Sequence, residues 1–331
     1  MDEDLWCRRL KALGLPGAEP IGRGVEGVVF RVGGGRVAKV WTARQVPELE
    51  LMRAFYADLA AARPALETPV VDEVLVADGA VVTVERELPG SSLLQRLDVD
   101  ADTVPGWAVD AVVTCLSCLA AVPATEGMRA LPVVGEHVSF RTPGDSFTEA
   151  LRSLVRRRDV VSGDRLRAAL PDLDRRLVAL DERLSAVDPV PDTAVHGDLF
   201  GANIHVDPAG RPVALLDFGF MTTAGDPRFD AGVTAGIVNM YGAHAQQVTT
   251  MLTAELAARL GHDPAVLVSY RAAYAVVTCT LFGDYVGTEH VLLALLETSD
   301  EPGSQVLTGL GVAKPDVEAW TLQALADLRR R

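Results

Sequence analysis

The sequence TAVHGDLFGANIHVDPAGRPVALLDFGF, residues 193–220, contains the pattern that decides the fold. Its apolar runs predict three short strands, at Thr193–Val195, Ile204–Val206 and Pro212–Leu216. The tetrapeptide Asp207–Gly210 consists of residues that favour a reverse turn, so it predicts a tight connection between the last two strands. The segment is therefore expected to form a strand, a loop, a second strand, a turn and a third strand.

Three polar side chains interrupt this frame: Asp198 in the loop, Asn203 five residues later, and Asp217 directly after the last strand. Phosphoryl transfer needs a carboxylate that orients a hydroxyl group and accepts its proton. It also needs hard oxygen ligands for the Mg²⁺ that bridges the phosphates. Asp198 is the candidate for the catalytic base, and Asn203 and Asp217 are the candidates for the metal ligands.

The spacing His196-x-Asp198-x4-Asn203, followed by Asp217-Phe218-Gly219, resembles the catalytic loop and the DFG motif of the protein-kinase-like fold. The form HGD resembles the aminoglycoside phosphotransferase and choline kinase branch of that fold. That branch usually has His-Pro after the leucine, whereas this chain has Phe200-Gly201, a departure that leaves the base and metal positions intact. The resemblance implies a two-lobed α+β fold, with a five-stranded antiparallel N-lobe and a mainly helical C-lobe, and ATP or GTP as co-substrate.

A glycine-rich stretch near the N-terminus, Gly22-x-Gly24-x-x-Gly27, precedes the β-branched run Val28-Val29-Phe30. A dinucleotide-binding fold would need a helix after the last glycine, but this run predicts a strand. In the kinase-like arrangement that the sequence resembles, backbone N–H groups of such a loop cover the phosphates. Glycine is needed there because a Cβ would hold the backbone away. Gly22, Gly24 and Gly27 are therefore candidates for nucleotide binding.

Lys39 lies in the predicted strand RVAKVW, where strand alternation places it on the same face as Val37. Only three of the 31 basic residues are lysines, which favours a specific role for Lys39. The resemblance implies that Val29 and Val37 contact the base and that Lys39 reaches the α- and β-phosphates. It also implies that a glutamate of the next predicted helix pairs with Lys39. Glu48 is the candidate, and Glu50 is the alternative.

Asp78-Gly79 separates two apolar runs and predicts a two-residue hairpin turn. The stretch that follows, Glu85–Gly90, resembles the linker between the lobes of a kinase, whose backbone would hydrogen-bond the purine. Glu85 and Glu87 are the candidates for this contact. We expect the nucleotide-binding lobe to span residues 1–88 and the catalytic and acceptor-binding lobe to span residues 89–331.

Only residues 220–224 separate the DFG motif from the segment GDPRFD, which ends at Asp230. The resemblance implies that Asp230 and His196 support the catalytic loop. Protein kinases use a longer activation segment to seat a peptide, so the short connection favours a small-molecule acceptor. Helical patterns follow over 231–260 and 264–282. The candidates for acceptor binding lie in these patterns or close to them and are Asn239, Tyr241, Asp284 and Tyr285.

The amino-acid composition limits the kinds of binding partner and the cellular compartment that we expect for this protein. The net charge of −14 argues against nucleic acid, whose phosphates require a basic surface, and is compatible with a cationic substrate. Cys115-x-x-Cys118 has no second Cys or His pair to complete a zinc site, and the acidic N-terminus lacks a signal-peptide core. Charged residues break the apolar runs before they reach membrane-spanning length. We therefore expect a cytoplasmic protein without a membrane partner, as a monomer or a homodimer.

These observations together predict an ATP- or GTP-dependent phosphotransferase, assisted by Mg²⁺, that acts on a hydroxyl group of a small molecule. An antibiotic, of aminoglycoside or another type, is the first candidate acceptor. A metabolite kinase that acts on choline, homoserine or a sugar is one alternative. A non-catalytic nucleotide-binding module is another, and it would be marked by loss of the base, the lysine or a metal ligand. The sequence retains all of these residues.

Overall fold

The computed structural model describes residues 2–279 except Val25, Ala43, Gly135, Pro171 and Tyr241. Its N-terminal part is a five-stranded antiparallel sheet with the strand order β1-β2-β3-β5-β4, which confirms the prediction. Helix α1 precedes this sheet, and helix α2 connects β3 to β4. The bounds are α1 (Glu3–Ala12), β1 (Glu19–Arg23), β2 (Gly27–Gly33), β3 (Arg36–Trp41), α2 (Val46–Ala61), β4 (Val71–Ala77) and β5 (Ala80–Arg86).

One face of the sheet forms a small core with α1. Phe30 of β2, Val40 of β3 and Val82 of β5 are fully buried, and they pack in one cluster with Trp6 and Leu10 of the helix. Strand alternation turns the neighbouring side chains to the opposite face, away from α1. This opposite face therefore remains to line a cleft.

The hairpin between β4 and β5 turns where the sequence predicts it. Asp78 and Gly79 have φ angles of 48° and 80°. Positive φ at both central residues belongs to the two-residue turn whose twist matches that of the flanking strands.

The opposite face of the sheet carries cross-strand neighbours from three strands. Lys39 on β3 pairs with Val29 on β2 and with Thr83 on β5. Val37 and Glu85 form the next pair along the same face. The residues predicted to contact the nucleotide from this sheet thus share one surface.

The second part of the molecule is mainly helical, as predicted, and contains two small sheets, of strands β6-β8-β9 and β7-β10. A 3₁₀ turn spans Leu94–Arg96. The strands are β6 (Ser91–Ser92), β7 (Thr193–Val195), β8 (Ile204–Val206), β9 (Pro212–Leu215) and β10 (Thr223–Gly225). The helices are α3 (Gly106–Ala120), α4 (Glu126–Arg129), α5 (Phe147–Ala169), α6 (Leu173–Ser185), α7 (Pro227–Ile237), α8 (Ala245–Leu260) and α9 (Pro264–Thr278).

The helix predicted over 231–260 is interrupted, because a break separates α7 from α8. In this break the buried Asn239 donates from Nδ2 to the carbonyl oxygen of Val99 at 3.0 Å. A Cβ at Gly242 would collide with the same carbonyl. The chain leaves the helix here so that the segment around Val99 can pack against it.

An aromatic cluster joins the two parts of the molecule. The ring of Phe218, from the DFG motif, lies 5.5 Å from that of Phe55 and 5.6 Å from that of Tyr56, both on α2. His196 stacks on Phe218 with a centroid separation of 4.3 Å. The start of the catalytic loop is thereby packed against the DFG motif and, through it, against α2.

The connection between β5 and β6 leads from the larger sheet into the second part. We propose that the lobe boundary lies in this connection, between residues 88 and 89. None of the helices in the part of the chain that the structure describes combines the length and the apolar character needed to span a bilayer.

Candidate active site

The catalytic loop, residues 196–203, connects β7 to β8 and is anchored by a buried aspartate. Asp230, in the first turn of α7, accepts the backbone N–H of His196 at 2.7 Å and that of Gly197 at 2.9 Å. Gly197 has a φ of 76°, and a Cβ there would collide with the backbone of Met221. Glycine is required at this position both by the positive φ and by the close approach.

The side chain of His196 is fully buried and makes two hydrogen bonds. Its Nε2 lies 2.9 Å from the carbonyl oxygen of Leu216, and its Nδ1 accepts the N–H of Asp198 at 3.3 Å. The carbonyl can only accept, so Nε2 carries the proton and Nδ1 is unprotonated. Burial lowers the pKa of His196 to about 4, so the imidazole is neutral near pH 7.

Asp198, the candidate base, is held by a residue from a distant helix. Its Oδ1 accepts the hydroxyl of Tyr274, on α9, at 3.1 Å. Burial raises the pKa of Asp198 to about 7, the Tyr274 hydrogen bond opposes this, and the charges of Asp217 and Glu26 add to it. A base works best when its pKa is close to the operating pH, and this environment moves Asp198 in that direction.

Sequence reasoning missed Tyr274. The signal available was the spacing of Tyr270 and Tyr274, two tyrosines four residues apart in a mainly apolar helix. That spacing places both on one helical face, and a buried tyrosine hydroxyl usually finds a partner. In the structure both hydroxyls bind aspartates.

Asn203 and Asp217 fit the chemistry of an Mg²⁺ site. Asn203 uses its amide nitrogen to donate to the Asp198 carbonyl at 2.9 Å, which leaves its amide oxygen as the atom that can bind a cation. Asp217 has a φ of 46°, an unusual conformation for a residue other than glycine, and its side chain is 58% exposed. Both supply hard oxygen donors, as Mg²⁺ prefers, and nucleotide phosphates usually complete such sites. The described residues contain no cluster of three or more His, Cys, Asp or Glu side chains that could hold a metal by itself.

Lys39 is buried and lies against Asp217. Its Nζ is 2.7 Å from Asp217 Oδ1 and 4.0 Å from the ring centroid of Trp41. Burial disfavours the charge on Lys39, but Asp217, Glu26 and Glu85 outweigh it, so its pKa is raised. The same contact with Lys39 lowers the pKa of Asp217. Both side chains are therefore charged near neutral pH.

Lys39 and Glu48 are both described by the structure, and they do not form the predicted ion pair. Glu48 lies in the first turn of α2, where its Oε2 accepts the N–H of Gln45 at 2.8 Å as part of a capping box. The alternative, Glu50, points to Arg53 at 3.6 Å instead. Helix capping satisfies a backbone donor that the first turn would otherwise leave unpaired, and this role takes up the Glu48 carboxylate.

The two linker glutamates play different roles. Glu85 lies on the cleft face, where its Oε1 accepts the hydroxyl of Thr83 at 2.6 Å, and burial raises its pKa. Glu87 donates its backbone N–H to the carbonyl of Gly35 at 2.8 Å, and its carboxylate pairs with Arg31. The N–H of Glu87 is thus engaged within the sheet, so it is not the donor that the prediction offered to a purine.

The three predicted glycines of the nucleotide loop differ in their surroundings. A Cβ at Gly22 or Gly24 would meet open space, whereas a Cβ at Gly27 would collide with the carbonyl of Val40 on β3. Gly27 is therefore required by strand packing. Glu26, between these glycines in the loop, pairs with Arg44 at 2.6 Å.

Among the residues predicted to bind the acceptor, the structure describes Asn239 but not the others. Asn239 is buried and bound to the Val99 segment, an arrangement that favours a structural role over an acceptor contact. Tyr241, Asp284 and Tyr285 lie outside the described residues.

The geometry agrees with a comparison of the sequence with family models. Residues 17–274 match the model of the phosphotransferase enzyme family. The chain belongs to this family. It is a kinase-like phosphotransferase with an alcohol group as acceptor, and the match covers both the glycine-rich loop and Tyr274.

Solved structures with the same fold include several aminoglycoside phosphotransferases. APH(3'')-Id from Streptomyces rimosus is 20% identical, with a TM-score of 0.51, over 84% of this chain and 99% of that one. The GDP and kanamycin complex of APH(2")-IIia is 16% identical, with a TM-score of 0.57, over 90% and 98%. The streptomycin and ATP complex of APH(2")-IIa is 13% identical, with a TM-score of 0.51, over 92% and 97%. At these identities the likeness concerns the fold. No curated protein sequence matches this family member significantly.

Proposed function

We propose that the protein transfers the γ-phosphoryl group of ATP or GTP to a hydroxyl group of a small-molecule antibiotic and thereby inactivates it. One observation carries this proposal: Asn203 binds the backbone of Asp198, while Asp217 contacts Lys39. These contacts support the proposal because they bring together the candidates for the base, the two metal ligands and the phosphate-binding cation. Membership of the phosphotransferase family supports the reaction class.

In this reaction Asp198 accepts a hydrogen bond from the acceptor hydroxyl, orients its oxygen and takes up its proton as the new O–P bond forms. The bond between the γ-phosphorus and the oxygen that bridges to the β-phosphate breaks, and ADP or GDP leaves. Asn203 and Asp217 would hold Mg²⁺, which neutralises charge on the β- and γ-phosphates when it is bound. Lys39, held between Asp217 and the ring of Trp41, supplies positive charge to the α- and β-phosphates.

The remaining nucleotide contacts are assigned to the loop and to the cleft face of the sheet. The open surroundings of Gly22 and Gly24 support a role in covering phosphates. We assign the base to the surface formed by Val29, Val37 and Glu85, since all three lie on the face that carries Lys39. The structural relatives include complexes with GDP and with ATP, so both nucleotides are to be tested.

A cationic acceptor is favoured by the charges around the base. Asp217, Glu26 and Asp230 are all close enough to raise the pKa of Asp198, so the surroundings of the base are electronegative. Kanamycin and streptomycin are the antibiotics bound in complexes of the structural relatives. The short β10 connection between the DFG motif and α7 provides no long segment on which a peptide could lie. We therefore place aminoglycosides first among the antibiotic acceptors.

The test is a nucleotide-consumption screen with ATP and with GTP, in Mg²⁺, over aminoglycosides, macrolides, choline, homoserine and sugars. The matched control is Asp198→Asn, which keeps the shape of the side chain and removes proton acceptance. We expect acceptor-dependent turnover in the wild type, and about 10²- to 10⁴-fold less in the variant with nearly unchanged nucleotide affinity.

The outcomes separate the candidates. Turnover with choline, homoserine or a sugar alone would identify a metabolite kinase. Nucleotide binding without transfer to any acceptor would favour a non-catalytic module. If Asp198→Asn strongly weakens nucleotide binding but leaves the rate of transfer from the bound nucleotide nearly unchanged, the assignment of the base is wrong.

A further inference from the structure

Tyr274 lies outside the catalytic-loop and DFG motifs, and its side chain reaches Asp198, the candidate base. It lies on α9, 76 residues from Asp198 along the chain, and its side chain is buried. Its hydroxyl donates to Asp198 Oδ1 at 3.1 Å. The helix is fixed at its start by Asp263, whose carboxylate accepts the N–H of Ala265 at 2.8 Å. The phenol is therefore presented from a helix that is capped at its start and buried over most of its length.

The DFG glycine, Gly219, approaches the Asp198 side chain so closely that a larger residue would collide with it. A Cβ at Gly219 would collide with the Cβ of Asp198 and lie 3.1 Å from its Oδ2. Gly219 itself is held close, since its N–H donates to the carbonyl of His196 at 3.2 Å. Because Gly219 has no Cβ, the space beside Oδ2 is left for an acceptor, whereas Oδ1 is taken up by the Tyr274 hydroxyl.

We propose that Tyr274 is a positioning residue that fixes the carboxylate of Asp198 in one orientation and assigns Oδ2 as the oxygen that receives the acceptor's proton. The inference rests on the proposed function for its chemical meaning. Its geometric content, that the phenol determines the orientation of the carboxylate, stands independently. A carboxylate bound through one oxygen cannot rotate to offer either oxygen equally, and misorientation of a base by about 1 Å costs on the order of 10²-fold in rate.

The chain contains a matched control one helical turn earlier. Tyr270 lies on the same helix, is fully buried, and donates its hydroxyl to Asp226 Oδ2 at 2.6 Å. Asp226 also binds the side chain and the N–H of Arg228. Loss of the Tyr270 hydroxyl therefore removes a similar buried hydrogen bond, while Asp226 keeps other partners.

The experiment compares Tyr274→Phe with Tyr270→Phe in the full-length protein. Crystal structures of the two variants and the wild type would report the orientation of Asp198. Steady-state kinetics with kanamycin and with streptomycin, each with ATP and GTP, would report kcat and the nucleotide KM. Thermal denaturation would report the stability of each variant.

We expect the Asp198 carboxylate to rotate or occupy several orientations in Tyr274→Phe and to be unchanged in Tyr270→Phe. We also expect kcat to fall by about 10- to 100-fold in Tyr274→Phe with the nucleotide KM nearly constant, and to be retained in Tyr270→Phe. A purely stabilising role would lower Tm in both variants and leave kcat of the folded enzyme intact.

An Asp198 carboxylate that keeps its orientation in Tyr274→Phe overturns the inference, whatever the rates. If the wild type transfers phosphate to no acceptor but the carboxylate still reorients in Tyr274→Phe, the inference holds and the proposed function fails. The two failures are thus distinguishable.

Discussion

Replacement of His196 by glutamine tests whether the catalytic loop depends on a neutral imidazole. His196 is fully buried, donates from Nε2 to Leu216 and accepts the N–H of Asp198 at Nδ1. A second ring proton would place an N–H against an N–H and break the contact with Asp198. Glutamine keeps an amide donor for Leu216 but cannot be protonated, so it isolates the titration of the imidazole.

The size of the effect follows from the pKa of His196, which is about 4 in the folded protein. An unfolded histidine has a pKa of about 6.5, so between pH 6.5 and 4 the unfolded chain binds more protons at this position. Stability then rises with pH, and the contribution of His196 is fully present above pH 6.5 and is lost as pH falls towards 4. Integration over the interval from pH 7.5 to pH 5 gives a loss of about 2 kcal/mol of unfolding free energy.

Asp198, in this loop, and Asp230, which anchors it, change the stability with pH in the opposite direction. The pKa of Asp198 is raised to about 7 and that of Asp230 to about 6. At both positions the folded protein binds a proton before the unfolded chain does, so each stabilises the fold as pH falls. The pH dependence of wild-type stability therefore combines the titration of His196 with that of the two aspartates. Both aspartates remain in His196→Gln, so the difference in stability between the wild type and this variant reports the titration of His196.

The assay is urea denaturation of wild type and His196→Gln at pH 7.5 and pH 5, with equal m-values as the condition for comparison. We expect the stability advantage of the wild type to shrink by about 2 kcal/mol from the higher to the lower pH. A difference that stays constant to within about 0.5 kcal/mol would show that His196 does not gain its proton on unfolding, and the account of the loop would be wrong.

Two further predictions concern the cleft. In Asp217→Ala the metal loses its carboxylate, so we expect transfer to fall by about 10³-fold or more in a titration with Mg²⁺, and unchanged turnover would contradict the metal assignment. In Trp41→Leu the Lys39 ammonium loses its aromatic partner, so we expect the nucleotide KM to rise about two- to fivefold with kcat retained. Trp107→Leu, which removes a ring that contacts Arg96 away from the cleft, is the control and should leave the KM unchanged.

The catalytic loop could be predicted from sequence because its geometry is local. Asp198, Asn203 and Asp217 all lie within 20 residues, and the short strands between them fix their spacing. A side chain that ends a strand or begins a loop is placed by the backbone around it. The hairpin at Asp78 and Gly79 was predictable for the same reason, because the positive φ angles are a property of the turn itself.

Contacts between distant elements were not predictable in the same way. The spacing of Tyr270 and Tyr274 indicates two hydroxyls on one helical face, but nothing near Tyr274 in the sequence indicates that its partner is Asp198. Glu48 was assigned to Lys39 by analogy, but the first turn of α2 offers an unpaired backbone N–H within reach of the same carboxylate. The nearby donor at Gln45 takes up that carboxylate, and Lys39 makes its ion pair with Asp217 instead.

Asp198 and Asp217 are the same residue type, so their different proposed roles, as base and as metal ligand, come from their environments. Burial raises the pKa of Asp198 to about 7, whereas the adjacent Lys39 lowers the pKa of Asp217. A carboxylate that stays ionised suits a cation, and one that can take up a proton near neutral pH suits a base. When two titratable groups in one cleft have their pKa values shifted apart, the shifts assign their roles. The spacing of the two aspartates brings them to the same cleft, but only the contacts made by Lys39 and the burial of Asp198 distinguish the proposed base from the proposed metal ligand.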